Sequence, residues 1–98
     1  MRGATFNIST ADDGTIRLSG RLDAAQEEKA REVLDAASGP TVIDFSELSY
    51  ISSAGLGVLL RAQKRLMEGG NGLKIVNLSP PIREIFEMAG FDRIFDLE

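Results

Sequence analysis

Residues 42–60, VIDFSELSYISSAGLGVLL, pass from a β-branched strand through a serine pair straight into an amphipathic helical pattern, with no linker between them. A strand that feeds a helix so directly is the junction of an α/β unit, in which the helix packs back onto the sheet. The junction leaves a small hydroxyl, Ser52 or Ser53, at the mouth of a helix. Backbone N–H groups are unpaired there and the helix dipole is positive, so a phosphate on that hydroxyl would be tolerated.

The flanking segments extend the same pattern. Thr5 to Ser9 and Thr15 to Ser19 alternate apolar residues around Ala11-Asp12-Asp13-Gly14, which predicts a β-hairpin. Asp23, with Gln26 three positions on, reads as an acidic capping box opening a helix that ends near Gly39-Pro40. Thr41 to Phe45 form the next strand, and the continuous Val42-Ile43 pair predicts a central strand buried on both faces. From Ala54, Leu56, Leu59, Leu60 and Met67 fall at helical spacing with Val58 and Leu66 beside them, and Arg61, Lys64 and Arg65 take the other side as a solvated face. Three glycines within residues 69–72 stop that helix, and Leu73 to Val76 form another strand. Ser79-Pro80-Pro81 launches a helix that Gly90 closes, and Arg93 to Asp96 make a last short strand. The order ββαβαβαβ predicts a mixed sheet with helices packed against it, forming one α/β domain over residues 1–98.

Composition removes most chemistries. Histidine and cysteine are both absent, which excludes disulfides, thiol catalysis, the usual zinc sites and histidine-based acid/base mechanisms. No histidine, and no lysine near Ser53 in sequence, supports a serine hydrolase. A net charge of −4 disfavours nucleic acid and anionic lipid, and no apolar run approaches the roughly 20 residues of a membrane span. The N-terminus has no apolar signal core, so a cytoplasmic location is expected.

The segment DFSELSYISSAGLGVLL resembles the signature of the STAS domain, especially the stand-alone anti-sigma-factor antagonists of bacterial partner-switching systems. Asp44, Leu48, Tyr50, Ile51, Ser53, Gly55, Leu56 and Gly57 fall on that pattern. An upstream G-x-L-D element is present as Gly20-Arg21-Leu22-Asp23, and the downstream helix motif as Pro81-Ile82-Arg83-Glu84-Ile85-Phe86. The resemblance implies a domain that is not itself an enzyme and carries no cofactor or metal. Its partner is an anti-sigma factor that is also a serine kinase, held when the antagonist is unmodified and released by phosphorylation. A PP2C-type phosphatase resets the switch. By position the phosphoacceptor is Ser53, with Ser52 as second choice, and Asp23, Ser52, Ala54, Gly55, Leu56 and Gly57 form the partner-binding surface. Free of its partner, the domain is expected to be a monomer.

Three departures from the family pattern bear on function. The family's aspartate before the acceptor is Ser52 here, which removes a negative charge and supplies a second candidate hydroxyl. The hydroxyl residue after the acceptor is Ala54. The family commonly adds a C-terminal helix, whereas this sequence stops at Phe95-Asp96-Leu97-Glu98, and Leu97-Glu98 can be read as an added tail. The first departure keeps a second reading open, a non-cycling STAS subunit docked on a bacterial ABC lipid transporter. Four motif residues also carry structural readings. Gly55 and Gly57 either admit a partner's backbone or allow close helix–sheet packing. Asp23 caps its helix and, in the implied fold, also lies beside the serine loop. Asp44 supports its loop by accepting backbone hydrogen bonds.

Overall fold

The computed structural model describes residues 6–98. Its elements are β1 (Asn7–Thr10), β2 (Ile16–Leu22), α1 (Glu27–Asp35), β3 (Thr41–Ile51), α2 (Ser53–Glu68), β4 (Leu73–Val76), α3 (Pro80–Met88) and β5 (Asp96–Leu97). This is the predicted ββαβαβαβ order. The sheet runs β1-β2-β3-β4-β5, antiparallel at β1/β2 and parallel at every other pair. The hairpin turns where Asp-Gly predicts it: Gly14 takes φ +92° and Asp13 accepts from the Thr15 N–H at 2.9 Å. Thr5, predicted to open the first strand, lies outside the described residues.

Because the parallel strands follow one another in chain order, right-handed crossovers put all three helices on one face of the sheet. Residues alternate accordingly. Ile16, Ile43 and Ile75 sit at matched register and are buried under the helices, whereas Arg17, Asp44 and Val76 share the opposite face. The expectation that β3 is buried on both faces is therefore corrected: Val42 pairs with Lys74 on the open face and is only half-buried.

β3 is also far longer than the predicted Thr41–Phe45. β4 ends opposite Asp44, but β3 continues to Ile51 against β2 alone. Two register shifts carry it. Between Asp44 and Glu47, and again between Leu48 and Tyr50, β3 holds one residue more than β2. These bulges break the period of two, so the core positions Ile43, Phe45, Leu48 and Ile51 are spaced by two, three and three. A motif spaced this way does not read as a strand from sequence.

Each bulge has its own polar support. At the first, Asp44 accepts from the Ser46 N–H at 2.8 Å and from the Asn77 amide at 3.1 Å, with Arg17 Nε at 3.4 Å. At the second, Ser49 donates to the Gly20 carbonyl at 2.9 Å, and Gly20 has φ +85°. Asn77 itself has φ +62°, so Asp44 holds both the bulge and the left-handed turn that leads to α3. Burial alone would push the Asp44 carboxyl up, but the Ser46 N–H, the Asn77 amide, the Ser46 hydroxyl and the Arg17 charge together hold it below its usual 3.8. A folded-state pKa below the unfolded one stabilises the fold fully above the unfolded value and loses that contribution as pH falls through the folded one. Asp44→Ala is expected to cost about 1 to 3 kcal/mol at pH 7, through loss of the charge-assisted bonds from Ser46 and Asn77 that hold the bulge and the turn. In thermal melts the gap to the parent protein narrows as pH falls below the ordinary carboxylate value of 3.8 and through the lower folded-state value.

The remaining differences are local. The helix predicted from Asp23 begins as a 3-10 turn, Ala24–Gln26, and becomes α-helical only at Glu27. Asp23 does cap it, accepting from the Ala25 N–H at 3.2 Å, but the reciprocal Gln26 side-chain bond of a capping box is not made. In α2 the buried stripe is Val58, Leu59, Ala62, Gln63 and Leu66, while Leu60 and Met67 face solvent. Buried Gln63 accepts from the Leu73 N–H and donates to the Ile94 carbonyl, clamping α2 to β4 and to the segment before β5. Of the basic residues predicted to be solvated, Arg65 donates to the Leu34 and Ala37 carbonyls at 2.7 and 2.9 Å, closing the end of α1. The last strand is Asp96–Leu97 rather than Arg93 to Asp96. Phe91–Arg93 instead form a 3-10 turn that brings Phe91 and Phe95 onto Phe86, with centroids 6.2 and 5.8 Å from its ring. Leu97 pairs with Ile75 in β5, and the Glu98 N–H donates to the Ile75 carbonyl at 2.8 Å.

Candidate functional site

The two bulges deliver the end of β3 beside the end of β2. Leu22 and Ile51 are register partners, and the Ser52 N–H donates to the Leu22 carbonyl at 2.9 Å. This bond brings the Gly20–Asp23 element and the serine junction together, and the 3-10 turn after Asp23 packs beside α2. Asp23 is half-buried, and its carboxylate is engaged by the Ala25 N–H.

The two serines differ in kind. Ser52 is the N-cap of α2: its backbone is extended, φ −94° and ψ 173°, its carbonyl accepts from the Leu56 N–H at 2.9 Å, and its hydroxyl accepts from the Gly55 N–H at 3.2 Å. Ser53 is the first helical residue and is exposed, and among the described residues no protein group bonds its hydroxyl. With Gly55 and Leu56 satisfied, the N–H groups of Ser53 and Ala54 have no acceptor among the described residues. No acidic side chain occupies the first turn of α2. Replacing the cap, Ser52→Ala, is expected to lower stability by about 1 kcal/mol, whereas Ser53→Ala leaves it within about 0.5 kcal/mol. Chemical denaturation of the two variants checks this.

The glycines separate as cleanly. A Cβ on Gly55 would lie 2.8 Å from Leu22 Cγ, 2.9 Å from Ile51 Cγ1 and 3.0 Å from the Leu22 carbonyl oxygen. Its missing side chain is what lets the first turn of α2 sit on the ends of β2 and β3. A Cβ on Gly57 would meet nothing within 4 Å. Leu56 is half-buried against the core and Ala54 half-buried at the helix mouth.

Sequence reading did not single out Arg21. On the open face, one residue before the Leu22–Ile51 pair, its guanidinium stacks on the Tyr50 ring at 4.1 Å from the centroid. The only signal available was position, since both residues lie in the two motifs that the fold brings together. A groove of about 630 Å³ lies at the opposite end of the domain, between Ile16, Thr41, Val33 and Ala37 at the starts of β2 and β3 and the end of α1. It has no connection to the serine junction. Among the described residues no three carboxylates converge as a metal site would require, and no helix is long and apolar enough to cross a membrane.

The architecture thus defines a one-sided α/β domain whose notable chemical feature is an exposed hydroxyl on a capped helix mouth. A family model described as "Mlab, STAS domain" matches residues 7–97. The chain belongs to the STAS-domain family. BtrV of Bordetella bronchiseptica is 39% identical over 77 residues, covering 79% of this chain and 66% of that protein. An anti-sigma-B factor antagonist of Bacillus subtilis is 30% identical over 89 residues, covering 88% of this chain and 82% of its own. Among solved structures, the anti-sigma factor antagonist SpoIIAA in its unphosphorylated form superposes with a TM-score of 0.73 at 22% identity, covering 96% of this chain and 88% of that one. The phosphorylated form of Bacillus SpoIIAA gives 0.67 at 21% identity, over 96% and 91%. These two likenesses establish a shared fold.

Proposed function

We propose that this domain is an anti-sigma-factor antagonist controlled by phosphorylation of Ser53. Unmodified, it binds an anti-sigma factor that is also a serine kinase; phosphorylated, it is released, and a PP2C-type phosphatase restores it. The domain performs no catalysis, needs no cofactor and works in the cytoplasm as a monomer when free. The observation that carries this reading is the division of labour between the serines. Ser52 is committed to capping α2, while Ser53 is exposed, unbonded and flanked by two free N–H groups. Support comes also from the B. subtilis relative, whose name is that of an anti-sigma factor antagonist, and from SpoIIAA, a protein of the same fold that exists in phosphorylated and unphosphorylated forms.

A phosphoryl group on Ser53 adds about −1.5 to −2 charges and three acceptor oxygens. The dipole of the 16-residue α2 offsets the anion by roughly 0.3 to 1 kcal/mol, and no first-turn carboxylate opposes it. The domain is therefore undisturbed by its own modification, and the effect falls on the partner. The test is mass spectrometry of the protein from its native cells, with Ser53→Ala and Ser52→Ala variants alongside. One phosphoryl group lost only in Ser53→Ala is the expected result. A mark lost only in Ser52→Ala would make Ser52 the acceptor and overturn Ser53, and no phosphate under any growth condition would favour the non-cycling docking subunit of an ABC lipid transporter.

A further inference from the structure

We propose that Asn71 is a site of spontaneous modification: the Gly72 nitrogen closes on the Asn71 side-chain amide, and the chain reopens as isoaspartate or aspartate at the joint between α2 and β4. In the first step the Gly72 nitrogen gives up its proton and bonds to Asn71 Cγ. Ammonia leaves with that proton, and a five-membered succinimide remains. Water then adds to one of the two ring carbonyls and breaks its bond to nitrogen. Opening at Cγ gives aspartate; opening at the main-chain carbonyl gives isoaspartate, whose backbone runs through the side chain and is one carbon longer. Water is the sole co-reactant.

The chain has three asparagines, and only Asn71 precedes a glycine, whose missing side chain leaves its nitrogen unhindered. Asn7 lies in β1 before Ile8, and Asn77 precedes Leu78 and donates its amide to Asp44 at 3.1 Å. At Asn71 the fold holds the chain on both sides of the reacting bond but not at it. Upstream, α2 ends in a complete Schellman motif: the Gly70 N–H donates to the Met67 carbonyl at 3.0 Å, the Asn71 N–H to the Leu66 carbonyl at 2.9 Å, and Gly70 has φ +86°. Downstream, the Leu73 N–H donates to Gln63 Oε1 at 2.6 Å. Between them, residues 71 and 72 belong to no helix or strand, and the Gly72 N–H has no acceptor among the described residues. The Asn71 amide makes one long bond, 3.3 Å to the Gly69 carbonyl. Asp13–Gly14 is built the opposite way. There the Gly14 N–H donates to the Ala11 carbonyl at 2.9 Å, and Asp13 Oδ1 accepts from the Thr15 N–H at 2.9 Å. The nitrogen is committed at Gly14 and open at Gly72.

The product falls on a clamp. Gln63 is buried, and it joins α2 to Leu73 through its carbonyl oxygen and to Ile94 through its amide. An extra backbone carbon one residue before Leu73 moves that N–H off Gln63 and leaves a buried acceptor unpaired. The new carboxylate also sits just past Glu68 at the C-terminus of α2, where the helix dipole disfavours it. Ser53 lies at the other end of α2, so the helix mouth is untouched.

The experiment incubates the whole folded domain at mildly alkaline pH beside a synthetic peptide of residues 67–76, and reads peptide masses and labelling by a protein isoaspartate methyltransferase. Asn71 is expected to convert and take the label in the folded domain, while Asn7 and Asn77 keep their amides. Gly72→Ala loses most of the label and Asn71→Gln all of it. The modified fraction, separated by its added negative charge, melts about 4 °C or more below the parent. Asn71→Asp, which adds the charge without the extra carbon, melts closer to the parent. Full conversion of the peptide with none in the folded domain means that the fold protects the bond, and equal conversion at Asn7 or Asn77 means that it selects nothing; either overturns the proposal. Undiminished label in Gly72→Ala overturns the route through the Gly72 nitrogen. A modified fraction that melts with the parent overturns the effect on the Gln63 clamp. No readout involves Ser53, so failure here leaves the proposed function standing.

Discussion

Phosphorylation of Ser53 is expected to lower affinity for the kinase partner by about 30-fold to several thousand-fold, and Ser53→Asp, with a single charge, to lower it less. The estimate follows from a dianion buried without a partner at the centre of an interface, at roughly 2 to 5 kcal/mol, and from 1.4 kcal/mol per decade of affinity. Nothing in the domain needs to refold for this. Ser53 is already in the first helical turn, Ser52 already satisfies the Gly55 N–H, and the free N–H groups of Ser53 and Ala54 point where an anion is favoured. The expected signature is thus a large change in Kd with an unchanged far-UV spectrum and a melting temperature held or slightly raised. Ser53→Ala, which adds no charge, keeps the binding. Parent-like affinity of the phosphorylated form would sink the proposed switch.

Alanine at Gly55 and alanine at Gly57 are expected to move stability in opposite directions. The helix-propensity gain is the same at both positions, up to about 1 kcal/mol. At Gly57 it is realised in full, because the new methyl group enters open space. At Gly55 the methyl lands under 3.0 Å from both Leu22 Cγ and Ile51 Cγ1 and at 3.0 Å from the Leu22 carbonyl oxygen. Neither side-chain atom is the free end of a flexible chain, so α2 must lift or the strand ends must spread. Overpacking of this kind costs about 1 to 3 kcal/mol and exceeds the propensity gain, and Gly55→Val costs more. For a domain this size 1 kcal/mol corresponds to about 4 to 8 °C, so calorimetric melts resolve the two variants easily. Lifting the helix mouth also displaces Ser53, so Gly55→Val is expected to lose partner binding along with stability. Two glycines with equal stability changes would mean that the first turn of α2 does not sit on Leu22 as described.

These glycines show where sequence reading reached its limit. Gly55 and Gly57 are two residues apart in the same motif, and their two explanations stood level until the neighbours of each were known. The separating contacts come from Leu22, more than thirty residues upstream, and from Ile51 at the end of β3. The extent of β3 was hidden for a related reason. Its two bulges answer to the register of β2, and Asp44, which supports the first of them, is tied to Asn77 on a loop after β4. The outward position of Leu60 and Met67 was missed because six apolar residues on one helix admit more than one stripe, and only the sheet beneath selects which is buried. The hairpin turn, β4, the proline-led start of α3 and the closure at Gly90 were legible because each depends on residues within a turn of itself.

The sequence by itself determined the order of elements, the one-domain α/β class, the family signature and the placement of a serine pair at a helix mouth. Those follow from local periodicity, from turn and cap chemistry, and from motif spacing, all of which act along the chain. Only the tertiary structure decided that the sheet is covered on one face, that Ser52 caps α2 and leaves Ser53 free, that Gly55 belongs to packing and Gly57 to open surface, and that Arg21 stacks on Tyr50. Each of these depends on which atoms from distant segments share a few ångströms of space, and one-sided packing, register and steric clash have no counterpart in the spacing of residues along a strand or helix.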